Sequence, residues 1–210
     1  MASPSISIVD YGVGNVASVR NMFKRVGFDA QATGDPDVIA RASHVLLPGV
    51  GAFERAARIL REAGLDEAVK TAASAGSNIL GICLGMQLLL DASEEGTGTE
   101  PGLGLIPGLV VAFPQEVVNQ GLRVPHMGWN RIERVDGGTF LPAVSTGSRY
   151  YFVHSYFAVP ADPAHRFATA RHGIEFTAMV RRDNVLGAQF HPEKSSRSGM
   201  AMLRDFAELA

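Results

Sequence analysis

The 210-residue chain is short of cysteine, of net charge and of long apolar runs, and each shortage excludes a class of function. A single cysteine, Cys83, cannot form an internal disulfide, so the disulfide framework of a small secreted domain is ruled out. A formal net charge of −2 gives no electrostatic reason to bind nucleic acid, whose binding domains are strongly basic. Glycine, proline or polar residues interrupt every apolar stretch well before the roughly 20 residues that cross a bilayer, so no transmembrane helix is expected. Met1-Ala2-Ser3-Pro4-Ser5 lacks the basic start and apolar core of a signal peptide, and a cytoplasmic setting is expected. The chain also has no Cys-x-x-Cys or His-Glu-x-x-His spacing. A zinc site built from Cys83, His191 and Glu193 is therefore without support, and neither metal nor cofactor is expected.

What is present is the composition of a globular domain, with 46% hydrophobic and 19% charged residues. No long linker, repeat or low-complexity block divides residues 1–210, and a single α/β domain is expected. Strand-like and helix-like runs alternate in the first half. Residues 6–9 form a strand, followed by a helix N-capped by Asn15, whose Val16, Val19, Met22, Phe23 and Val26 make one apolar stripe before Gly27. Asp35-Pro36-Asp37 opens a short helix, residues 44–47 are the next strand and residues 53–63 a further helix. This is the βαβα rhythm of a parallel sheet. From Leu103 onward strands and turns dominate, over residues 109–113, 150–157, 167–171, 176–181 and 185–190, before a closing amphipathic helix at about residues 199–209. The fold expected is a mixed, mostly parallel central sheet flanked by helices. Tyr11-Gly12-Val13-Gly14-Asn15 also admits a dinucleotide-loop reading, with Ala17 in place of the third glycine and Asp35 as the acidic residue, although Asp35 starts a helix instead of ending a strand.

Cys83 stands in Gly81-Ile82-Cys83-Leu84-Gly85, between a buried-strand pattern ending at Ile82 and the helical spacing of Met86, Leu88, Leu89 and Leu90. Small residues two before and two after a nucleophile let the chain turn sharply and crowd backbone amides around the side chain. Thiol catalysis also needs an imidazole to take the proton and a group to orient that imidazole. In Gln189-Phe190-His191-Pro192-Glu193-Lys194, His191 follows the apolar run from Val185, which puts it at the C-terminal end of a strand, where open α/β sheets place their sites. Glu193, two residues on, falls on the same face of an extended segment. The run Leu46-Leu47-Pro48-Gly49-Val50-Gly51-Ala52-Phe53 reads as a buried strand ending in a glycine loop. Its amides at Val50-Gly51, with that of Leu84, suit a developing oxyanion.

These three segments together resemble the class I, triad-type glutamine amidotransferases. More narrowly, Asp10-Tyr11-Gly12-Val13-Gly14-Asn15, Pro125-His126-Met127-Gly128-Trp129-Asn130, Tyr151-Phe152-Val153-His154-Ser155-Tyr156 and Lys194-Ser195-Ser196 resemble the glutaminase subunits of imidazole glycerol phosphate synthases. The resemblance implies that the chain hydrolyses glutamine through a Cys83 thioester. His191 would move the proton, Glu193 would fix the imidazole, and Gly49, Gln87, Glu95 and Ser155 would contact the glutamine. It also implies a heterodimer with a cyclase subunit of β/α-barrel fold, which takes up the ammonia to make imidazole glycerol phosphate and an aminoimidazole carboxamide ribonucleotide in histidine biosynthesis. Asn15, Trp129, Tyr151 and Lys194, beside the matching motifs, are the expected anchors for that partner. Two other readings stay open: a cysteine hydrolase of peptides or esters with the same triad, and a non-catalytic interaction module.

Overall fold

The computed structural model describes residues 4–135 and 137–210. Met1-Ala2-Ser3, part of the reading against a targeting segment, lies outside the described residues. The first half contains β1 (Ile6–Val9), α1 (Val16–Arg25), β2 (Ala30–Thr33), α2 (Pro36–Arg41), β3 (His44–Gly49), α3 (Phe53–Glu62), α4 (Leu65–Ser74), β4 (Asn78–Cys83) and α5 (Leu84–Leu88). The second half contains β5 (Ala92–Ser93), β6 (Gly108–Ala112), α6 (Gln115–Asn119), β7 (His126–Arg131), β8 (Glu133–Arg134), β9 (Arg149–His154), β10 (Tyr156–Pro160), β11 (Arg166–His172), β12 (Ile174–Arg182), β13 (Val185–Ala188) and α7 (Ser196–Ala207).

The main sheet runs β2-β1-β3-β4-β13-β12-β10-β6-β5, with β11 and β8 attached beside β12. Strands from β2 to β13 along this order are parallel, and β12 and β10 turn it antiparallel. Every residue of β1, β3, β4 and β13 is buried, as expected of strands covered on both faces. One core packs α1 and α7 against one face with the aromatic residues Phe113, Phe152, Phe176 and Phe190, while α3, α4 and α5 cover the other. Beside the sheet, β7 and β9 form a two-stranded antiparallel ribbon that pairs Trp129 with Tyr151 and His126 with His154.

Several local expectations need correcting. Asn15 occupies the N-cap position of α1, but its side chain makes no capping bond. Asp35 does cap α2, accepting from the Asp37 amide at 2.9 Å. Helix α4 was not anticipated, although Leu65, Ala68, Val69 and Ala72 bury one helical face. The single strand expected over residues 150–157 is two strands belonging to different sheets, broken at Ser155. The break is held from both sides: the Ser155 carbonyl accepts from the Phe113 amide at 3.1 Å, and the Tyr156 carbonyl bonds back to the His154 ring at 2.9 Å. At Gly14 the space beside the backbone is taken by Pro48, so this loop packs on β3.

Candidate active site

The C-terminal ends of β3, β4 and β13 lie side by side, with Gly49 opposite Cys83 and Ala188 opposite Ile82. Cys83 closes β4 and opens α5 with φ 54° and ψ −109°, a left-handed backbone that few non-glycine residues adopt. The glycines at either side explain how the turn closes. A Cβ on Gly81 would stand 2.5 Å from the Gly85 carbonyl oxygen, and one on Gly85 would overlap the Leu47 carbonyl. Close approach of three backbone segments thus forces the elbow and leaves Cys83 buried, 8% exposed.

Cys83 lines a cavity of about 320 Å³ together with Val50, Gly51, Leu84, Gln87, Glu95, Ser155, His191 and Lys194. Gly49 is not among the lining residues, because its backbone packs against Leu84 and Gly85. Glu95 reaches the cavity, but its Oε2 accepts from the Phe53 amide at 2.8 Å at the start of α3. Gln87 Nε2 donates to the Tyr156 carbonyl at 3.1 Å and to Gln189 Oε1 at 3.2 Å, which occupies both amide hydrogens and leaves its own carbonyl oxygen as an acceptor.

His191 follows β13, and its Nδ1 lies 2.8 Å from Glu193 Oε1, with both side chains almost wholly buried. His191 Nε2 is buried and makes no hydrogen bond among the described residues, so it is the ring atom left for the Cys83 sulfur. Burial alone would push the imidazole pKa down. The neighbouring Cys83 and Glu193 outweigh burial and carry it up to about 9. At neutral pH the ring is therefore an imidazolium, held by Glu193 through Nδ1 and carrying on its other nitrogen a proton available to the chemistry at Cys83.

Residues that motif reasoning left without a role complete the frame. Ser195 Oγ donates to the His191 carbonyl at 2.6 Å and accepts from the Tyr151 amide at 2.9 Å, tying β9 to the histidine turn. Tyr11, Gln189 and the Val153 carbonyl also meet this site; Val153 O accepts from the Cys83 thiol at 3.9 Å. Their only sequence signal was membership of the quoted motifs. Among the expected partner anchors, Trp129 is 45% exposed and meets Tyr151 edge-on, with ring centroids 6.2 Å apart. Lys194 is exposed, and its Nζ stands 5.8 Å from the Tyr151 ring. Asn15 is half-buried where α1 begins, and α1 packs on the turn Pro192–Lys194. Among the described residues no cluster of histidine, cysteine or carboxylate side chains is placed to hold a metal ion. No helix among them is long and apolar enough to cross a membrane.

The model of the class-I glutamine amidotransferase family matches residues 7–209. The chain is 46% identical to imidazole glycerol phosphate synthase subunit HisH of Syntrophotalea carbinolica, over 97% of this chain and 100% of that protein. It is 45% identical to the HisH subunit of Moorella thermoacetica, over 97% and 94%. Among solved structures it resembles the crystal structure of a glutamine amidotransferase, with a TM-score of 0.74 at 20% identity over 98% of this chain and 100% of that one. PurLQS from Thermotoga maritima gives 0.73 at 20% identity, covering 98% of each chain. These last two likenesses speak for the fold. The chain belongs to the class-I glutamine amidotransferase family, among the HisH subunits of imidazole glycerol phosphate synthase.

Proposed function

We propose that the chain hydrolyses glutamine to glutamate and ammonia, and that Cys83, His191 and Glu193 carry out the reaction. The observation that carries this reading is the buried imidazolium of His191, held by Glu193 and facing a thiol on a strained elbow. The Cys83 sulfur attacks the side-chain carbonyl carbon of glutamine, and the carbonyl oxygen takes the charge. The amides of Leu84 and the Val50-Gly51 loop are the proposed donors to that oxygen. His191 passes its proton to the departing nitrogen as the carbon–nitrogen bond breaks, which leaves a γ-glutamyl thioester and free ammonia. Water then adds to the thioester and His191 takes its proton. The carbon–sulfur bond breaks to release glutamate. Ser155 and Glu95 are the proposed contacts for the amino-acid end of the substrate. Gln87, with both amide hydrogens spent on the protein, meets it through its carbonyl oxygen.

The relatives are named as synthase subunits, which supports the assignment of a second subunit as the consumer of the ammonia. In this reading that subunit is the β/α-barrel cyclase, the pair is a cytoplasmic heterodimer, and the complex carries out the lyase step that yields imidazole glycerol phosphate. The exposed apolar side chains Val50, Met127 and Trp129, with Lys194 at the cavity, are the proposed contact face.

Cys83→Ala tests the proposal, since a small change at a packed elbow removes the nucleophile and opens little space. Glutamate release is expected to vanish while the cyclase complex forms and still uses added ammonium salt. Near wild-type glutamate release by Cys83→Ala would overturn the assignment.

A further inference from the structure

Strands β4 and β13 run parallel with Ile82 opposite Ala188, so the next residues along the two strands, Cys83 and Gln189, emerge beside each other. Gln189 is fully buried, and its Nε2 lies 3.8 Å from the Cys83 sulfur, within the longer reach of a sulfur acceptor. We propose that Gln189 is a further catalytic residue, whose side-chain amide donates a hydrogen bond to the Cys83 sulfur and favours its thiolate form. The inference rests on the glutaminase reading for its meaning in turnover, but not for the bond itself.

The neighbours decide which end of the Gln189 amide faces the sulfur. Gln87 lies within hydrogen-bond distance of the Tyr156 carbonyl at 3.1 Å and of Gln189 Oε1 at 3.2 Å. An oxygen of Gln87 turned toward Tyr156 would set two carbonyl oxygens against each other, so Gln87 presents nitrogen there. Gln189 must then offer its oxygen to Gln87 and its nitrogen to Cys83. The Tyr156 carbonyl also bonds the His154 ring at 2.9 Å, so the chain of donors ends on a pinned acceptor. A buried amide hydrogen aimed at sulfur is poorly satisfied by a neutral thiol and well satisfied by a thiolate. The bond weakens when sulfur becomes a thioester. It forms again when water adds to the acyl carbon, its proton passes to His191, and the carbon–sulfur electron pair returns to Sγ.

Because Cys83 is the only cysteine, alkylation of the full chain reports on this one sulfur. The rate of iodoacetamide inactivation is measured against pH for the wild type, Gln189→Met and Gln189→Asn. Methionine keeps the bulk and removes the donor, whereas asparagine withdraws it by one carbon. The ionisable groups around the sulfur are His191 backed by Glu193, Tyr11, and across the cavity His154, Lys194 and Glu95, all retained in both variants. The midpoint is expected to rise by about one to two pH units, with glutaminase kcat reduced about ten- to a hundredfold and KM little changed. A profile superimposed on the wild type in either folded variant overturns the proposal. If neither variant folds, the side-chain amide resonance of Gln189 in the wild-type chain is followed by NMR. It is expected to move as Cys83 is alkylated, and no movement overturns the proposal. A shifted alkylation profile without any glutaminase activity would instead leave the sulfur–amide bond standing and sink the proposed reaction.

Discussion

The Tyr11 hydroxyl donates a 2.8 Å hydrogen bond to the Pro48 carbonyl, tying the loop after β1 to the strand that leads into Val50 and Gly51. Burial, reinforced by the charge at Cys83, raises the phenol pKa above its ordinary range, so the hydroxyl keeps its proton and remains a donor. Gly14 packs against the same proline, and together the two contacts hold the start of the glycine loop.

Tyr11→Phe is therefore expected to cost about 1 kcal/mol of stability and to lower kcat severalfold, because a buried carbonyl is left without its partner just before the loop. Denaturant unfolding and steady-state glutamate release measure the two effects. A variant equal to the wild type in both would show that the tie is idle.

His191→Asn is expected to be at least about tenfold more damaging to glutaminase turnover than Glu193→Gln, since one residue moves the proton and the other only holds and polarises it. The pH profile supplies the sign. The proton His191 delivers is present below its pKa and lost above it, so kcat/KM should fall as pH rises through about 9. Glu193→Gln removes one of the two groups that raise this pKa, and the alkaline limb should move down. An unmoved limb would mean that Glu193 does not tune the imidazole.

Gly85→Ala should fail to fold or should melt well below the wild type. The added methyl overlaps the Leu47 backbone carbonyl, and no side-chain rotation relieves a backbone clash; overpacking of this kind costs about 1–3 kcal/mol or more. Soluble yield and thermal melting test it, with Cys83→Ala as the comparison that leaves the elbow glycines intact.

Acid should destabilise the fold through the ribbon histidines. Burial, with the neighbouring His172, lowers the His126 pKa to about 4. Burial is also the largest influence on His154, whose pKa is lowered to about 3. His154 Nδ1 donates to the Tyr156 carbonyl at 2.9 Å, His126 Nδ1 donates to His154 Nε2 at 3.0 Å, and the Asn130 amide donates to His126 Nε2 at 3.2 Å. Both rings are thus held neutral. Above about pH 6.5 the unfolded rings are neutral too, and nothing is lost. Below it the unfolded chain binds protons that the native rings refuse, and stability falls by about 1.4 kcal/mol per pH unit for each ring until the native pKa is reached. Urea midpoints between pH 7 and pH 4.5 test this, and His126→Gln should flatten the slope.

The elbow was legible because Gly81 and Gly85 flank the only cysteine, and those small residues are what the local backbone demands. His191 with Glu193 was legible for a similar reason: an extended segment after a buried strand has few ways to orient two residues spaced by two. Gln189 and Tyr11 carried no comparable signal. Gln189 is a polar residue in a mainly apolar run and Tyr11 stands in a glycine loop, and the partner of each is set by strand register or by a loop contact formed only in the fold. The strand break at Ser155 escaped notice because residues 150–157 are rich in aromatic side chains, with no glycine or proline to mark it. Gly49 was assigned to the substrate by the resemblance, and the fold adds a further reason for a glycine there: its missing side chain permits the close approach of β3 to the elbow.

The break at Ser155 has a mechanical consequence. The segment from Val153 to Tyr156 forms one wall of the cavity, yet its first half belongs to the ribbon and its second half to the main sheet. It works as the corner of a picture frame, where the angle between two rigid bars sets the size of the opening. Substitutions along the ribbon, well away from the sulfur, would then resize the opening without altering its chemistry, changing how tightly a substrate is gripped before they change how fast it is cut.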